Sequence, residues 1–470
     1  MSHEQTLRPL SRVLLAGASR GAGTSSAVLG LLAVLKRKGQ SVAAARIGHG
    51  LVETTFHRRV IGRLSHSLDP WILSLPQLLD SLGTLSLGTD LLVIEGDIGI
   101  FDSYQADAAV KNLADFALLT ETPVILVVNA KQYAEGIKAL VSGFINYDRE
   151  LKFAGIICSH ILDDKHEQVI RRAVESLGSI PYLGSIFIGD SDLLAGKEYG
   201  RAPAVPSLIS RSKIVHAADL VERGVDVGQV RSIADAAPAL KLAFPPKINA
   251  QRRVRIAVAD DAAFHLTFQN NLDILRSEGA ELVPFSPLAD QKLPARIGGI
   301  YLPSGYPHLY AQDLQNNANL RAEIHAFASG GGTLYAEGTA LAYCCKQLQL
   351  TSGDIYEMLG ILPGLAKSNF PESESARLAL VEVSSFEETV ISHVGSKFRG
   401  LRDLRFHVRL EDKVLSCFQI LDPSQGSSVT TEGLSPHSNT ICTSVLAHWG
   451  ANSGMAKTFI EAAAMQVIGQ

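Results

Sequence analysis

The sequence predicts an α/β protein with two parallel-sheet domains in one chain. Three observations carry that expectation. The stretch from Arg12 to Ser26 (Arg-Val-Leu-Leu-Ala-Gly-Ala-Ser-Arg-Gly-Ala-Gly-Thr-Ser-Ser) reads as a strand, a glycine turn and a helix start, the layout of a phosphate-cradling P-loop. Short apolar strands then alternate with helical segments, as in a parallel sheet covered on both faces. The pattern weakens from Gly224 to Gln251, is interrupted by Pro245-Pro246, and resumes at Val254. The expected organisation is a domain over 1–223, a linker over 224–252 and a domain over 253–470, in keeping with a length of 470 residues.

Composition narrows the function classes. Hydrophobic residues make up 46% and charged residues 19%, enough for large cores. The net charge of -4, with no basic run, argues against a nucleic-acid partner. No apolar run approaches the roughly 20 residues that span a bilayer, and Met1 to Gln5 has no secretory pattern, so a soluble cytoplasmic protein is expected. The five cysteines show neither zinc spacing nor a disulfide framework.

In the first half, Ala27 to Lys38 is apolar-periodic and ends in Lys36-Arg-Lys38 and Gly39, a helix whose terminal cations suit its dipole. Buried strands follow at Ser41–Ile47, Leu91–Ile94, Val124–Val128 and Ala154–Cys158. The glycine loop should then lie at the C-terminal edge of the sheet, where such folds bind ligands. Glu95, after a buried strand, reads equally as a metal-coordinating carboxylate or a solvated strand-end acid.

In the second half, strands are expected at Val254–Val258, Ala280–Pro284, Gly299–Leu302 and Gly330–Ala336, with a helix over Thr267–Gly279. The last of these strands enters a sharp turn at Glu337-Gly338-Thr339 and a helix from Ala340 to Gln347. Strand, turn and helix form the elbow that displays nucleophiles in α/β enzymes, here with glycine at its tip. Cys344 and Cys345 lie beyond it and read as packed helix residues. His448 follows an apolar strand and is either an imidazole base or, as for most lone histidines, a structural residue.

From about Arg12 to Ala464 the chain resembles the cobyrinate a,c-diamide synthase family, two-domain amidotransferases of cobalamin biosynthesis whose relatives amidate other tetrapyrroles. The segments that carry the resemblance are Ser67-Leu-Asp-Pro-Trp71, Val93-Ile-Glu-Gly96, Ile256 to Phe264, Gly279 to Asp290 and Leu302-Pro-Ser-Gly-Tyr-Pro307. It implies an N-terminal P-loop NTPase-like (dethiobiotin-synthetase-like) domain that uses ATP and magnesium to phosphorylate substrate carboxylates. It also implies a C-terminal class I glutamine-amidotransferase-like (flavodoxin-like) domain, where a cysteine and a histidine release ammonia from glutamine.

On this resemblance Gly21, Gly23, Thr24, Ser25 and Ser26 form the nucleotide loop, and Ser25, Glu53 and Glu95 would hold magnesium. Arg46, His57, Arg63, Asp69 and Trp71 fall in substrate-side segments, where arginine suits the carboxylates of a tetrapyrrole. The chain departs from the family at the chemical positions. The loop lysine is Thr24, with Arg20 a nearby cation. An acid position is Gly50, a second acid is Glu53, an aspartate is Asn129, and an asparagine-arginine pair is Ser159-His160. The nucleophile position is Gly338, the family's glycine pair is Ser304-Gly305, and the histidine that precedes His448 in the family pattern is Leu446.

Three functions are therefore carried forward. The first is a catalytically degenerate homologue that binds a tetrapyrrole or corrinoid, or regulates or scaffolds a partner such as an active paralogue, as homodimer or heteromer. The second is an amidoligase using free ammonia, with Arg20 in place of the lysine and magnesium on Glu53 and Glu95. The third is a repurposed pocket using His49, His57 or His160.

Overall fold

The computed structural model describes residues 5–48, 50–103, 110–187, 210–243, 254–369, 378–422 and 429–468. They form two compact units, the first holding the described residues up to Ala243 and the second those from Val254 onward.

The first unit opens with β1 (Gln5–Arg8), β2 (Arg12–Gly17) and α1 (Thr24–Arg37), then β3 (Val42–Ile47), α2 (Leu51–Ile61), β4 (His66–Leu68), α3 (Leu75–Ser86) and β5 (Leu91–Gly99). It continues through α4 (Leu113–Leu119), β6 (Val124–Asn129), α5 (Ile137–Tyr147), β7 (Phe153–Ile161), α6 (Asp164–Glu175) and β8 (Tyr182–Phe187). Seven strands make one parallel sheet in the order β4-β3-β5-β2-β6-β7-β8. Side chains of β2, β3 and most of β5 and β6 are fully buried, which is why these strands read as unbroken apolar runs. Chain order reverses beside β2, so the loop after it faces a crevice at the strand ends.

The stretch expected as a linker is instead part of this unit up to Ala243. It holds α8 (Val227–Asp235), preceded by α7 (Arg211–Gly224), and β9 (Leu240–Ala243), which pairs antiparallel with β1. Two side chains tie it down: Ser11 Oγ donates to Asp235 at 2.7 Å, and the buried Arg12 donates to Pro238 O at 2.7 Å. The helix α1 also starts earlier than expected, at Thr24. It packs against α7 where Gly30 faces Val221 so closely that a Cβ would collide.

The second unit has β10 (Val254–Ala259), β11 (Phe264–Leu266), α9 (Gln269–Ser277), β12 (Ala280–Phe285), β13 (Gly299–Leu302) and β14 (Ser304–Gly305). Next come α10 (Ala311–Asn316), α11 (Ala318–Ser329), β15 (Thr333–Glu337), α12 (Ala340–Cys344) and β16 (Cys345–Gln349), then β17 (Ile355–Glu357) and β18 (Leu362–Ser368). Strands β19 (Leu378–Ser385), β20 (Lys397–Asp403), β21 (Phe406–Leu410), β22 (Leu415–Leu421), β23 (Val429–Ser435), β24 (Thr440–Thr443) and β25 (Val445–Ala447) precede α13 (Gly454–Ile468). The main sheet runs β12-β10-β13-β15-β24-β23-β22-β19-β20-β25, parallel in its first five strands and antiparallel beyond. The antiparallel extension was not expected, because its strands alternate burial and leave no apolar run. The expected helix to Gln347 stops at Cys344, and Cys345 begins a strand. No helix among the described residues is long and apolar enough to cross a membrane.

Candidate functional site

Parallel topology gathers residues far apart in sequence at the C-terminal edge of the first sheet. Arg46 on β3 and Glu95 on β5 are register partners, and Asp97 lies two residues on, hence on the same face. Glu53 sits in the first turn of α2, where the helix dipole favours an acid. The Arg46 guanidinium bridges all three carboxylates: one terminal nitrogen donates to Glu95 Oε1, the other to Asp97 Oδ1 and, at 3.1 Å, to Glu53 Oε1. Glu95 also accepts from Ser25 Oγ at 2.5 Å and contacts His57 Nε2 at 2.7 Å, while His57 Nδ1 meets Ser65 Oγ at 3.0 Å. Burial alone would push the Glu95 carboxyl up. The Arg46 charge and the His57 and Ser25 contacts outweigh it and hold the group down at about 2.

Gly50 explains how the guanidinium fits. A Cβ there would lie 2.5 Å from Arg46 Nε and collide with the Glu53 carboxylate. Arg46 therefore fills the room next to the position where the resembling family carries an acid. The glycine loop is held from the neighbouring strand ends: Asn129 donates to Gly21 O at 3.3 Å, and Ser159 Oγ donates to Ala22 O at 2.6 Å. A Cβ on Gly23, whose φ is 83°, would meet Ser159 Cβ at 3.0 Å. Thr24 is buried with its hydroxyl turned toward Gly17, and Arg20 is exposed.

Magnesium fits this donor set poorly. Both oxygens of Glu95 already meet protein groups, and a guanidinium stands among the three carboxylates that a dication would need. No group of three or more metal-ligating side chains suits a metal ion among the described residues. The expected magnesium set of Ser25, Glu53 and Glu95 is thus assembled, but around Arg46.

The second centre lies at the end of β15. Gly338 has φ 60°, the left-handed geometry of an elbow tip. A Cβ at Gly338 would lie 2.5 Å from both Ser304 Cβ and Oγ, and 3.0 Å from Leu446 Cδ1. Two residues at which the sequence departs from the family therefore occupy the space that a side chain at 338 would need. The backbone donors there are also engaged. Thr339 N donates to Ser304 Oγ at 3.1 Å, and Gly305 N donates to Thr339 Oγ1 at 2.8 Å. Arg405 donates to Ser304 Oγ at 3.2 Å and is itself paired with Asp403 in full burial.

Beneath the elbow, Glu337 accepts from the Tyr301, Tyr335 and Thr267 hydroxyls at 2.5, 2.7 and 2.9 Å. Burial raises its carboxyl to about 7 despite these bonds, with no cation among its hydrogen-bond partners. His448 is buried against Phe268, with ring centroids 4.6 Å apart, and its Nδ1 accepts from Gly450 N at 3.1 Å. Asn271 fixes the backbone on either side of it, at Ala447 and Trp449.

These centres can be set beside known proteins. The CobB/CobQ-like glutamine amidotransferase domain matches residues 255–377. A cobyrinate a,c-diamide synthase of Listeria innocua serovar 6a is 32% identical over 393 residues, covering 83% of this chain and 86% of that protein. The chain belongs to the cobyrinate a,c-diamide synthase family. A family member from Leptospira interrogans serovar Lai is 28% identical over 453 residues, covering 96% of this chain and 98% of its own.

Of the residues expected on the substrate side, Arg46 and His57 are drawn into the network around Glu95. Asp69 lies in the turn after β4, where its Oδ1 accepts from Trp71 N and Ile72 N at 2.9 and 3.1 Å, and Trp71 is buried. Arg63 is at the opposite edge of the sheet. It donates to Leu87 O at 2.9 Å, Gly88 O at 3.1 Å and Thr89 Oγ1 at 3.0 Å, in the turn that enters β5. Six positions along the chain from His57, an arginine side chain could not reveal that reversal. His160 has φ 56° and its Nδ1 meets Ser159 Oγ at 2.8 Å, whereas His49 lies outside the described residues. Asp97 was missed, although strand alternation from Glu95 would have found it. Asp403 and Arg405 were missed as a pair because nothing local links them to Ser304. The five cysteines are buried and free, and burial pushes the Cys345 thiol up.

Proposed function

We propose that this chain is a catalytically degenerate member of its family, keeping the two-unit scaffold and acting in the cytoplasm by binding a tetrapyrrole or corrinoid or by regulating or scaffolding a partner. The observation that supports it most is the filling of space beside both glycines: Arg46 at Gly50, and Ser304 with Leu446 at Gly338. An isolated deletion of a catalytic side chain would leave a hole. At Gly338 the residues that fill the space, Ser304 and Leu446, themselves depart from the family pattern, which supports adaptation to the loss, whereas at Gly50 the space is taken by the retained Arg46. Glycine also offers no group for nucleophilic attack on glutamine. Five buried free thiols suit a reducing compartment.

The test is a paired assay. Glutamine hydrolysis and ATP turnover should both be at background, while absorbance titration with a corrinoid or sirohydrochlorin-like ligand should show saturable binding. A robust glutaminase rate would overturn the degenerate reading, and absence of any tetrapyrrole binding would remove its ligand half. Co-purification of an intact paralogue would then point to the scaffold role.

The contact of Ser25 with Glu95 favours a second reading, an amidoligase fed by free ammonia, because it keeps a hydroxyl and a carboxylate together beside the loop. ATP turnover that responds to ammonium but not to glutamine would establish it.

A further inference from the structure

We propose that the Arg46 guanidinium is a built-in replacement for a divalent cation, so that the first unit's centre is assembled without a metal. This goes beyond the reading above, because it concerns what holds the centre together and not what the protein binds.

Glu53, Glu95 and Asp97 come from two elements and converge with the Ser25 hydroxyl. Hard oxygen donors of this kind suit magnesium or manganese, and three converging carboxylates cannot stay ionised in a buried place without a counter-charge. The chain supplies that charge itself. The guanidinium touches one oxygen of each carboxylate, and it keeps its proton at every working pH. Its seat exists because residue 50 has no side chain: a Cβ there would lie 2.5 Å from Arg46 Nε. Charge and space thus point the same way. A dication entering the cluster would face a fixed positive group at short range in a poorly screened interior.

The experiment uses the purified full-length chain. A bound metal raises the melting temperature by mass action, and a chelator lowers it. For the natural chain, melting in EDTA and in about 5 mM magnesium or manganese chloride should agree within about 1 °C, and the free manganese paramagnetic resonance signal should not fall. A rise of more than about 3 °C that Glu95→Gln abolishes, or uptake of manganese near one per chain, would overturn the proposal. This arm reads out whatever the variants do. Arg46→Met, and Arg46→Met combined with Gly50→Asp, should gain manganese uptake and a metal-dependent rise in melting temperature. Folded variants by circular dichroism that take up no manganese would show that the guanidinium does not stand in a cation position.

Discussion

At the end of β3 a glycine lies beside a guanidinium shared by three carboxylates; at the end of β15 a glycine lies under a serine hydroxyl and a leucine methyl. Both rooms are filled, but by different means. The first is held by charge, and its central acid, Glu95, is driven down to about 2. The second is held by close packing, satisfied backbone donors and the buried Arg405–Asp403 pair at Ser304, and its neighbouring acid, Glu337, which accepts from hydroxyls and not from a cation, is driven up to about 7. Two buried glutamates near strand ends thus move in opposite directions, according to whether a cation or only neutral hydrogen-bond donors reach them.

The difference can be broken most forcefully at Arg46. Arg46→Ala leaves three acids without their shared cation and should cost about 3–5 kcal/mol, whereas Leu446→Ala should cost about 2–5 kcal/mol, toward the low end if Ser304 relaxes into the gap. Each unit has one tryptophan, Trp71 and Trp449, so urea unfolding of Trp449→Phe and Trp71→Phe backgrounds reads the units separately. An Arg46→Ala cost below about 2 kcal/mol would contradict the charge-held description.

Acidity tests the two glutamates next. Unfolded, both titrate near about 4.3. Glu95 binds its proton less tightly when folded, so its stabilisation is present above that value and is lost as pH falls toward about 2. Glu337 binds its proton more tightly when folded, so its contribution is full below that value and is lost as pH rises from there to about 7. Each effect is on the order of 3 kcal/mol. Glu337→Gln should flatten the decline between pH 4.5 and 7 in the second unit, and Glu95→Gln should flatten the acid limb in the first. A Glu337→Gln protein with an unchanged pH profile would rule out a Glu337 carboxyl raised by burial.

Gly338→Cys sharpens the comparison at the elbow. The added side chain collides with Ser304, so the variant should be less stable by about 1–3 kcal/mol and should show no glutaminase activity. Adding Ser304→Gly should recover part of that stability, since the obstructing Cβ and hydroxyl go together. Equal stability of the single variant and the natural chain would mean that the elbow is not closed. Arg63→Ala gives the smallest effect. It removes hydrogen bonds at the far edge of the sheet, should cost about 1 kcal/mol, and should leave every ligand titration unchanged.

The sequence by itself determined the two-sheet organisation, the loop after β2, the elbow after β15 and the list of positions at which chemistry departs from the family. The first three are legible because a buried parallel strand is an apolar run and a sharp turn needs glycine; the departures are legible only through the resemblance to the family. It did not determine what the departures do. Gly50 is a departure four residues from the retained Arg46, and Gly338, Ser304 and Leu446 are departures on three separate strands or turns, so read along the chain each departure is independent. Only tertiary structure decides that they are coupled, because parallel crossovers bring distant strand ends to within contact distance, where the space vacated by one side chain is available to another.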